Sequence, residues 1–277
     1  MRRKGIGVAF VDLRDPDDAI IKIISINRNI KCNLVALNYK GKDRVKFFIH
    51  EALKEYKAEE YVDDIFLSVM ELSFNAVKAN YAYVTVLDKV RRMLQYKAAQ
   101  IDLDSIWKSQ YMMNMYKNFI DHVSTKDIVK DIIRGEGSVF KIRALAEKEE
   151  RELTPEEEAD IEQKLSMMDR AINDKVKATL SISRLKDRVI IDVINDAPIT
   201  EFGLERIITK RRLFREYYEE DKIGEFYMEN LDDSESAGFG AAMIDSRLLA
   251  WNLEPWEHFK VLSLNKKTCA NLTVIFK

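Results

Sequence analysis

The chain has 277 residues, a formal net charge of -2, 47% hydrophobic residues and 33% charged residues. This is the balance of a globular protein, and it excludes an intrinsically disordered chain. A net charge near zero argues against a protein that coats nucleic acid or adheres to membranes through basic residues. No run approaches the ~20 apolar residues of a membrane span. Cys32 and Cys269 lack metal-ligand spacing, so we expect a cytoplasmic protein.

The first third of the chain passes from short β-rich stretches to long helices. Residues 1–19 are predicted to form an acidic-ended leader, and Ile20 to Ile26 and Asn33 to Leu37 are predicted strands. Apolar residues then recur at helical spacing from Asp43 to Tyr56 and from Glu59 to about Gln95.

The pattern stays helical and charged from about residue 88 to 175, with a turn predicted at Arg134 to Ser138. Thr154-Pro-Glu-Glu157 has the signature of a helix start, with a capping hydroxyl, a proline at the first helical position and a glutamate at the third. Structureless loops longer than ~12–15 residues are uncommon in compact domains. We therefore predict a helical insertion over about 88–175.

The hydrophobic period changes after this insertion. In chain order we predict strands over 178–183 and 189–194, a helix over 204–220, a small-residue loop over 234–240, a helix over 241–250, and strands over 259–264 and 271–276. Together with the earlier helices, these elements predict an α+β fold.

The second long helix carries a narrow polar stripe. At 100° per residue, Glu71, Asn75 and Lys78 fall within about 60° of one another, between two apolar walls. A solvated helix face is usually wide and rich in Lys and Glu. The stripe is therefore either a binding site or a narrow exposed edge on a core helix.

Gly238-Phe-Gly240 opens the helix predicted over 241–250. Free backbone N–H groups at a helix N-terminus bind phosphate, and glycines let the phosphate approach. A tight turn with close helix packing is the alternative explanation for the two glycines.

These motifs carry a resemblance to a known family. Glu71-Leu-Ser-Phe-Asn-Ala-Val-Lys78 resembles the N-box of the GHKL (Bergerat-fold) ATPases, E-L-x-x-N-A-x-K, and every fixed position matches. Ser236 to Ala241 resembles the glycine-rich G2 box, and Val193 to Ile199 stands where the G1 box is expected. Asn271 to Phe276 is similar to the closing strand of that family. The layout is most similar to that of anti-sigma-factor serine kinases.

The resemblance implies a Bergerat-type α/β sandwich over residues 20–277, with a mixed, mostly antiparallel sheet covered by helices and interrupted by the insertion. It implies ATP and Mg²⁺ as cofactors, with Asn75 as the metal ligand and Glu71 as the catalytic residue that orients or deprotonates the attacking group. The further nucleotide-binding residues that it implies are Lys78, Asn195, Asp196, Ser236, Gly238, Gly240 and Asn271. Asn195 aligns with the adenine-binding aspartate of the family, and Asp196 follows it. A plain strand-ending turn is the other explanation for this segment.

The function that the resemblance implies is a regulatory ATP-binding protein, a kinase-like phosphotransferase acting on a protein. The alternative is a catalytically inactive binding module, which is favoured by Ala197 and Ile199 in place of the G1 glycines. The segment from Leu204 to Ser236 is expected to form a mobile lid.

We expect a protein partner or self-association through the insertion, no nucleic acid partner and no membrane span. Met and aromatic residues are enriched at interfaces. The insertion carries a dense group of them, which either forms such an interface or packs among its own helices: Trp107, Tyr111, Met112, Met113, Met115, Tyr116 and Phe119.

Overall fold

A computed structural model describes residues 8–34, 39–95, 110–120, 122–231, 238–264 and 266–276. The chain divides into two compact units, Met1–Ala76 with Ala178–Lys277, and Val77–Lys177. The second unit covers the predicted insertion but begins at Val77 rather than at about residue 88. The reason is that Tyr81 and Val84 pack in one core cluster with Val129 of that unit.

The first unit is built on a six-stranded sheet of order β1-β2-β3-β4-β6-β5. The strands are β1 (Val8–Phe10), β2 (Asn29–Leu34), β3 (Ala178–Arg184), β4 (Arg188–Asn195), β5 (Phe259–Leu264) and β6 (Lys267–Ile275). Strand β1 pairs with β2 in parallel, and every other pair is antiparallel. The predicted α+β class, with a mixed and mostly antiparallel sheet, is confirmed. Strand β1 lies within the predicted leader, so this part of the leader belongs to the sheet.

The helices of the first unit are α1 (Asp17–Ile26), α2 (Tyr39–Leu53), the start of α3 (Val62–Gln95), α7 (Glu201–Glu219), α8 (Ile223–Leu231), α9 (Phe239–Ala250) and the one-turn α10 (Pro255–His258). Short 3₁₀ turns cover Lys54–Tyr56 and Glu59–Tyr61. The strand predicted over Ile20 to Ile26 is wrong, since these residues belong to α1. Ile20 and Ile24, four residues apart, are buried, whereas Ile26 is 76% exposed.

The two faces of the sheet differ in character. The inner face carries a row of cross-strand apolar neighbours, all at most 1% exposed: Ile30, Ile182, Ile191, Leu272 and Phe259. The adjacent residues of the same strands point to the outer face and form a polar row: Lys31, Ser181, Asp192, Asn271 and Lys260. Side chains alternate between faces along a strand, so neighbouring residues on one strand serve different surfaces.

The second unit is helical in its described residues. It contains the end of α3, α4 (Gln110–Ile120), α5 (Val123–Lys148) and α6 (Pro155–Asn173). The turn predicted at Arg134 to Ser138 is wrong, because α5 continues through it. The predicted helix start is confirmed, since the backbone N–H of Thr154 donates to Glu157 Oε2 at 2.9 Å and that of Glu157 donates to Thr154 Oγ1 at 3.2 Å.

The described aromatic residues of the predicted interface pack inside the second unit. Tyr116 is 3% exposed and meets Tyr83 edge to face at 5.9 Å between ring centroids. The Lys89 ammonium lies 5.3 Å from the centroid of Phe119. Trp107 lies outside the described residues, as do the side chains of Tyr111, Met112 and Met113. For Tyr116 and Phe119, packing among the unit's own helices is the observed arrangement.

Candidate functional site

The polar stripe on α3 is held in place by its apolar neighbours. Ile65, Val69 and Leu72 are at most 7% exposed and fix the helix against the core, which leaves Glu71 half-buried and Asn75 exposed. The Asn75 Nδ2 group donates to Glu71 Oε1 at 2.9 Å, one helical turn away. A carboxylate only accepts hydrogen bonds, so the amide turns its NH₂ group to Glu71 and its carbonyl oxygen away.

Gly238 begins helix α9 with a φ of 98°, in the left-handed region that glycine enters without strain. A Cβ atom at this position would lie 2.9 Å from Lys210 Cβ and 3.2 Å from the Arg206 carbonyl oxygen. Helix α9 therefore starts close against α7, and this glycine has a packing role of its own.

Gly240 is in direct contact with Glu71. A Cβ atom at position 240 would lie 2.0 Å from Glu71 Oε1 and 2.4 Å from Cδ. The carboxylate thus rests on the backbone of the first turn of α9, where the partial positive charge of a helix N-terminus favours an anion. Glu71, Asn75 and Gly240 are the predicted site residues that the structure brings together, with Glu71 covering the approach to the Gly240 backbone.

Asn195 is the last residue of β4, and Asp196 is the first residue beyond it. Asn195 is 4% exposed on the inner face, and its Nδ2 donates to the Ala197 carbonyl oxygen at 3.1 Å. Asp196 accepts from Lys267 Nζ at 2.6 Å. Thr268, the cross-strand neighbour of Asn195, donates its hydroxyl to the same Ala197 oxygen at 2.7 Å. Asn195 and Asp196 are thus engaged by different partners, and Thr268 is a polar neighbour of Asn195 that sequence reasoning missed.

Asn271 lies on the outer face of β6. Its Nδ2 donates to Asp192 Oδ1 at 2.7 Å, and the Cys269 thiol lies 3.6 Å from the same oxygen. Burial, with the nearby Asp192 carboxylate, raises the pKa of Cys269 to about 12. Because Asn271 and Asn195 occupy opposite faces, the structure does not bring these two predicted nucleotide-binding residues together.

Two predicted site residues remain, Lys78 and Ser236. Lys78 is exposed on α3, within the second unit. Ser236 lies outside the described residues.

The segment expected to be a lid forms, in its described part, the two helices α7 and α8. Phe214 and Phe226 are at most 1% exposed and form a core cluster with Ala242 of α9. The side chains of Lys210 and Asn230 are hydrogen-bonded to each other, and Arg215 Nε donates to Glu219 at 2.6 Å. Lys210 and Arg215 are thus engaged by side chains of this helix pair.

Within the described ranges, no group of three or more His, Cys, Asp or Glu side chains is arranged to hold a metal ion. Each helix in the same part of the chain is too short or too polar to cross a membrane. Comparison of the chain with protein-family models, with curated proteins and with solved structures finds no match.

Proposed function

We propose that the first unit binds ATP with Mg²⁺, and that the protein is a cytoplasmic regulatory phosphotransferase of the GHKL type that acts on a protein partner. One observation carries the proposal. Glu71, which belongs to the N-box-like sequence and accepts a hydrogen bond from Asn75, lies against Gly240, which belongs to the glycine-rich segment. These two motifs are far apart in the chain, and the fold brings them into contact.

The donor chemistry at Asn75 suits Mg²⁺. The amide oxygen points away from Glu71, and Mg²⁺ accepts one or two protein oxygens while phosphates and water supply the rest. A site of this kind needs no cluster of acidic residues. When bound, Mg-ATP supplies the phosphoryl group. Glu71, one helical turn away, then orients the acceptor hydroxyl and takes its proton.

The position of Glu71 makes nucleotide binding depend on the metal. A phosphate oxygen placed about 4 Å from this carboxylate would meet a repulsion of about 4 kcal/mol at an effective dielectric constant of about 20. Binding therefore requires the Glu71 side chain to rotate away from Gly240, or a cation to stand between the two anions. We expect ATP to bind weakly without Mg²⁺.

Calorimetric titration with ATP, with and without Mg²⁺, tests the proposal. Asn75→Ala should lower the Mg²⁺-dependent affinity by about tenfold, the effect of losing one charge-assisted contact. Glu71→Gln should raise the affinity measured without Mg²⁺, because it removes the repulsion. Asn33→Ala, on the outer face of β2, is the control and should change neither value. Absence of binding at millimolar Mg-ATP would refute the proposal.

A catalytically inactive binding or assembly module is the second candidate. Two observations favour it. Glu71 covers the backbone of Gly240, and Asn195, which aligns with the family's aspartate, donates its NH₂ group to the Ala197 carbonyl oxygen. The two candidates separate in a phosphoryl-transfer assay. If the protein is an enzyme, Glu71→Ala lowers turnover more than affinity, since a base acts on the reaction step. Wild-type binding without turnover would identify the module.

A further inference from the structure

A concave site lies in the first unit, on the flank of α3. It is a pocket of about 280 Å³ lined by Lys42 of α2, by Phe66, Leu67, Met70, Glu71 and Phe74 of α3, and by Met243 and Arg247 of α9. Half of these residues have aromatic or thioether side chains, and Leu67 adds a fifth apolar one. Ligand sites have this composition, with apolar walls and a few polar groups that fix orientation. The volume lies just below the ~300–1,000 Å³ of pockets for drug-sized molecules, so it suits a small ligand.

The pocket and the Asn75 side of the helix are separated by Glu71. At 100° per residue, Leu67, Phe74 and Met70 lie about 40°, 60° and 100° to one side of Glu71 around the axis of α3, whereas Asn75 lies about 40° to the other side. The pocket and the proposed nucleotide site therefore share one carboxylate and otherwise use different side chains.

The charges at the pocket favour an anion. The Lys42 ammonium lies 5.0 Å from the centroid of Phe74, and within the described ranges no carboxylate lies within ion-pair distance of it. Arg247 is partly engaged, with Nη1 at 3.4 Å from Ser68 Oγ and Nε at 3.9 Å from Asp64 Oδ1. The single acidic lining residue, Glu71, is engaged by Asn75.

We propose that this pocket binds a small organic monoanion, in which an aliphatic or aromatic body lies against Phe66, Met70 and Met243 and the carboxylate pairs with Lys42. The apolar walls account for the body of the ligand, and the ammonium accounts for the sign of its head group. Neither group belongs to the proposed nucleotide site, so octanoate can bind in the absence of ATP.

Methionine-methyl NMR of the full chain tests the proposal, because Met70 and Met243 are reporters inside the pocket. Their signals are assigned with Met70→Leu and Met243→Leu. The probes are octanoate, 1-octanol and octylammonium, which share one chain and differ in the charge of the head group. Octanoate should shift both signals in a saturable way. It should bind about tenfold more tightly than octanol, which is the effect expected of one charge-assisted hydrogen bond.

Charge variants identify the head-group partner. Lys42→Gln should lower the octanoate affinity by about tenfold and leave the octanol affinity unchanged. Lys260→Gln, an exposed lysine on the outer face of the sheet, is the matched control and should leave both affinities unchanged. Equal affinities for the three probes, or no shift of Met70 and Met243 with octanoate, would overturn the proposal. Mutually exclusive binding of Mg-ATP and octanoate, read from the same two signals, would overturn it as well, by assigning the pocket to the nucleotide.

Discussion

The contact between Glu71 and Gly240 predicts the outcome of adding a single methyl group. In Gly240→Ala the new Cβ atom would lie 2.0 Å from Glu71 Oε1, whereas ordinary contacts begin at 3.4 Å. The carboxylate must therefore move by at least about 1.4 Å, the difference between these two distances. Glu71 is half-buried and flexible at this end, so we expect it to rotate rather than to unfold α9.

The energy of this movement follows from the contacts that it breaks. Glu71 loses the hydrogen bond from Asn75, worth about 1 kcal/mol, and its position at the helix N-terminus, worth about 0.3–1 kcal/mol. Replacing glycine by alanine within α9 stabilises the helix by about 0.5–1 kcal/mol, because alanine has the higher helix propensity. Gly240→Ala alone should therefore destabilise the first unit by roughly 0.3–1.5 kcal/mol. In a Glu71→Ala background the same substitution should stabilise it by about 0.5–1 kcal/mol, which gives a coupling energy of about 1.5 kcal/mol.

Urea unfolding followed by tryptophan fluorescence measures this coupling. Trp251 and Trp256 both belong to the first unit, and Trp107→Phe removes the signal of the second. Gly224→Ala in α8 is the control, because an added Cβ there has no neighbour within 4 Å and should show no coupling to Glu71. Equal effects of Gly240→Ala in both backgrounds would show that Glu71 does not lie on Gly240.

The second unit gives two further predictions. Thr154→Ala should lower the free energy of unfolding of this unit by about 1 kcal/mol, since it removes the hydroxyl that caps α6. Thr154→Ser keeps the hydroxyl and should be nearly neutral. A loss of equal size for both variants in urea unfolding would argue against the cap. Glu136 accepts the hydroxyl of Tyr81, and burial raises the pKa of its carboxyl. A raised folded-state pKa means that the folded unit holds this proton more tightly, so its stability contribution declines as pH rises above the ordinary value of 4.5. Glu136→Gln should flatten this decline in urea midpoints measured from pH 4 to 7, and an unchanged pH profile would contradict the assignment.

The strands that follow the helical insertion were more predictable than those before it. The run Val189-Ile-Ile-Asp-Val-Ile194 is rich in β-branched residues, and the sequence pattern places this strand within one residue of Arg188–Asn195. Residues of this type favour strands because their branched side chains pack well on a pleated surface. The order of the strands depends on pairing between distant segments, and the local pattern does not contain it.

The incorrect predictions arise where local chemistry is ambiguous. A run rich in isoleucine favours a strand, but Asp17 and Asp18 in the first turn and burial at i and i+4 make it helix α1. Gly135 and Gly137 suggest a turn, yet both lie inside α5. A Cβ at Gly135 would meet Lys164 of α6 at 3.4 Å, so the close passage of a second helix, rather than a turn, makes a small residue suitable there.

The candidate site was predictable to the extent that it lies on one helix. The spacing of Glu71 and Asn75 specifies the hydrogen bond between them, because residues four apart face the same side. The contact between Glu71 and Gly240 joins distant parts of the chain, so no local sequence pattern indicates it. The two-residue period of a strand places Asn195 on the same face as Val193 and Ile191. That period cannot say which face is buried, since the choice depends on the core that the other strands complete.

Glu71 couples the two proposed sites, because one carboxylate covers Gly240 and also forms a wall of the Lys42 pocket. If the bound nucleotide displaces this side chain from Gly240, the movement changes the charge and the shape of the pocket. Linkage then requires that Mg-ATP alter the affinity for octanoate by the same factor by which octanoate alters the affinity for Mg-ATP. The quantity to measure is the ratio of the octanoate affinities with and without Mg-ATP. A ratio different from one, with the methyl signals of Met70 and Met243 still saturable by octanoate, indicates that both sites exist and that Glu71 links them. An octanoate affinity that is unchanged at saturating Mg-ATP would show that Glu71 stays on Gly240, and that the nucleotide binds without using the backbone of α9.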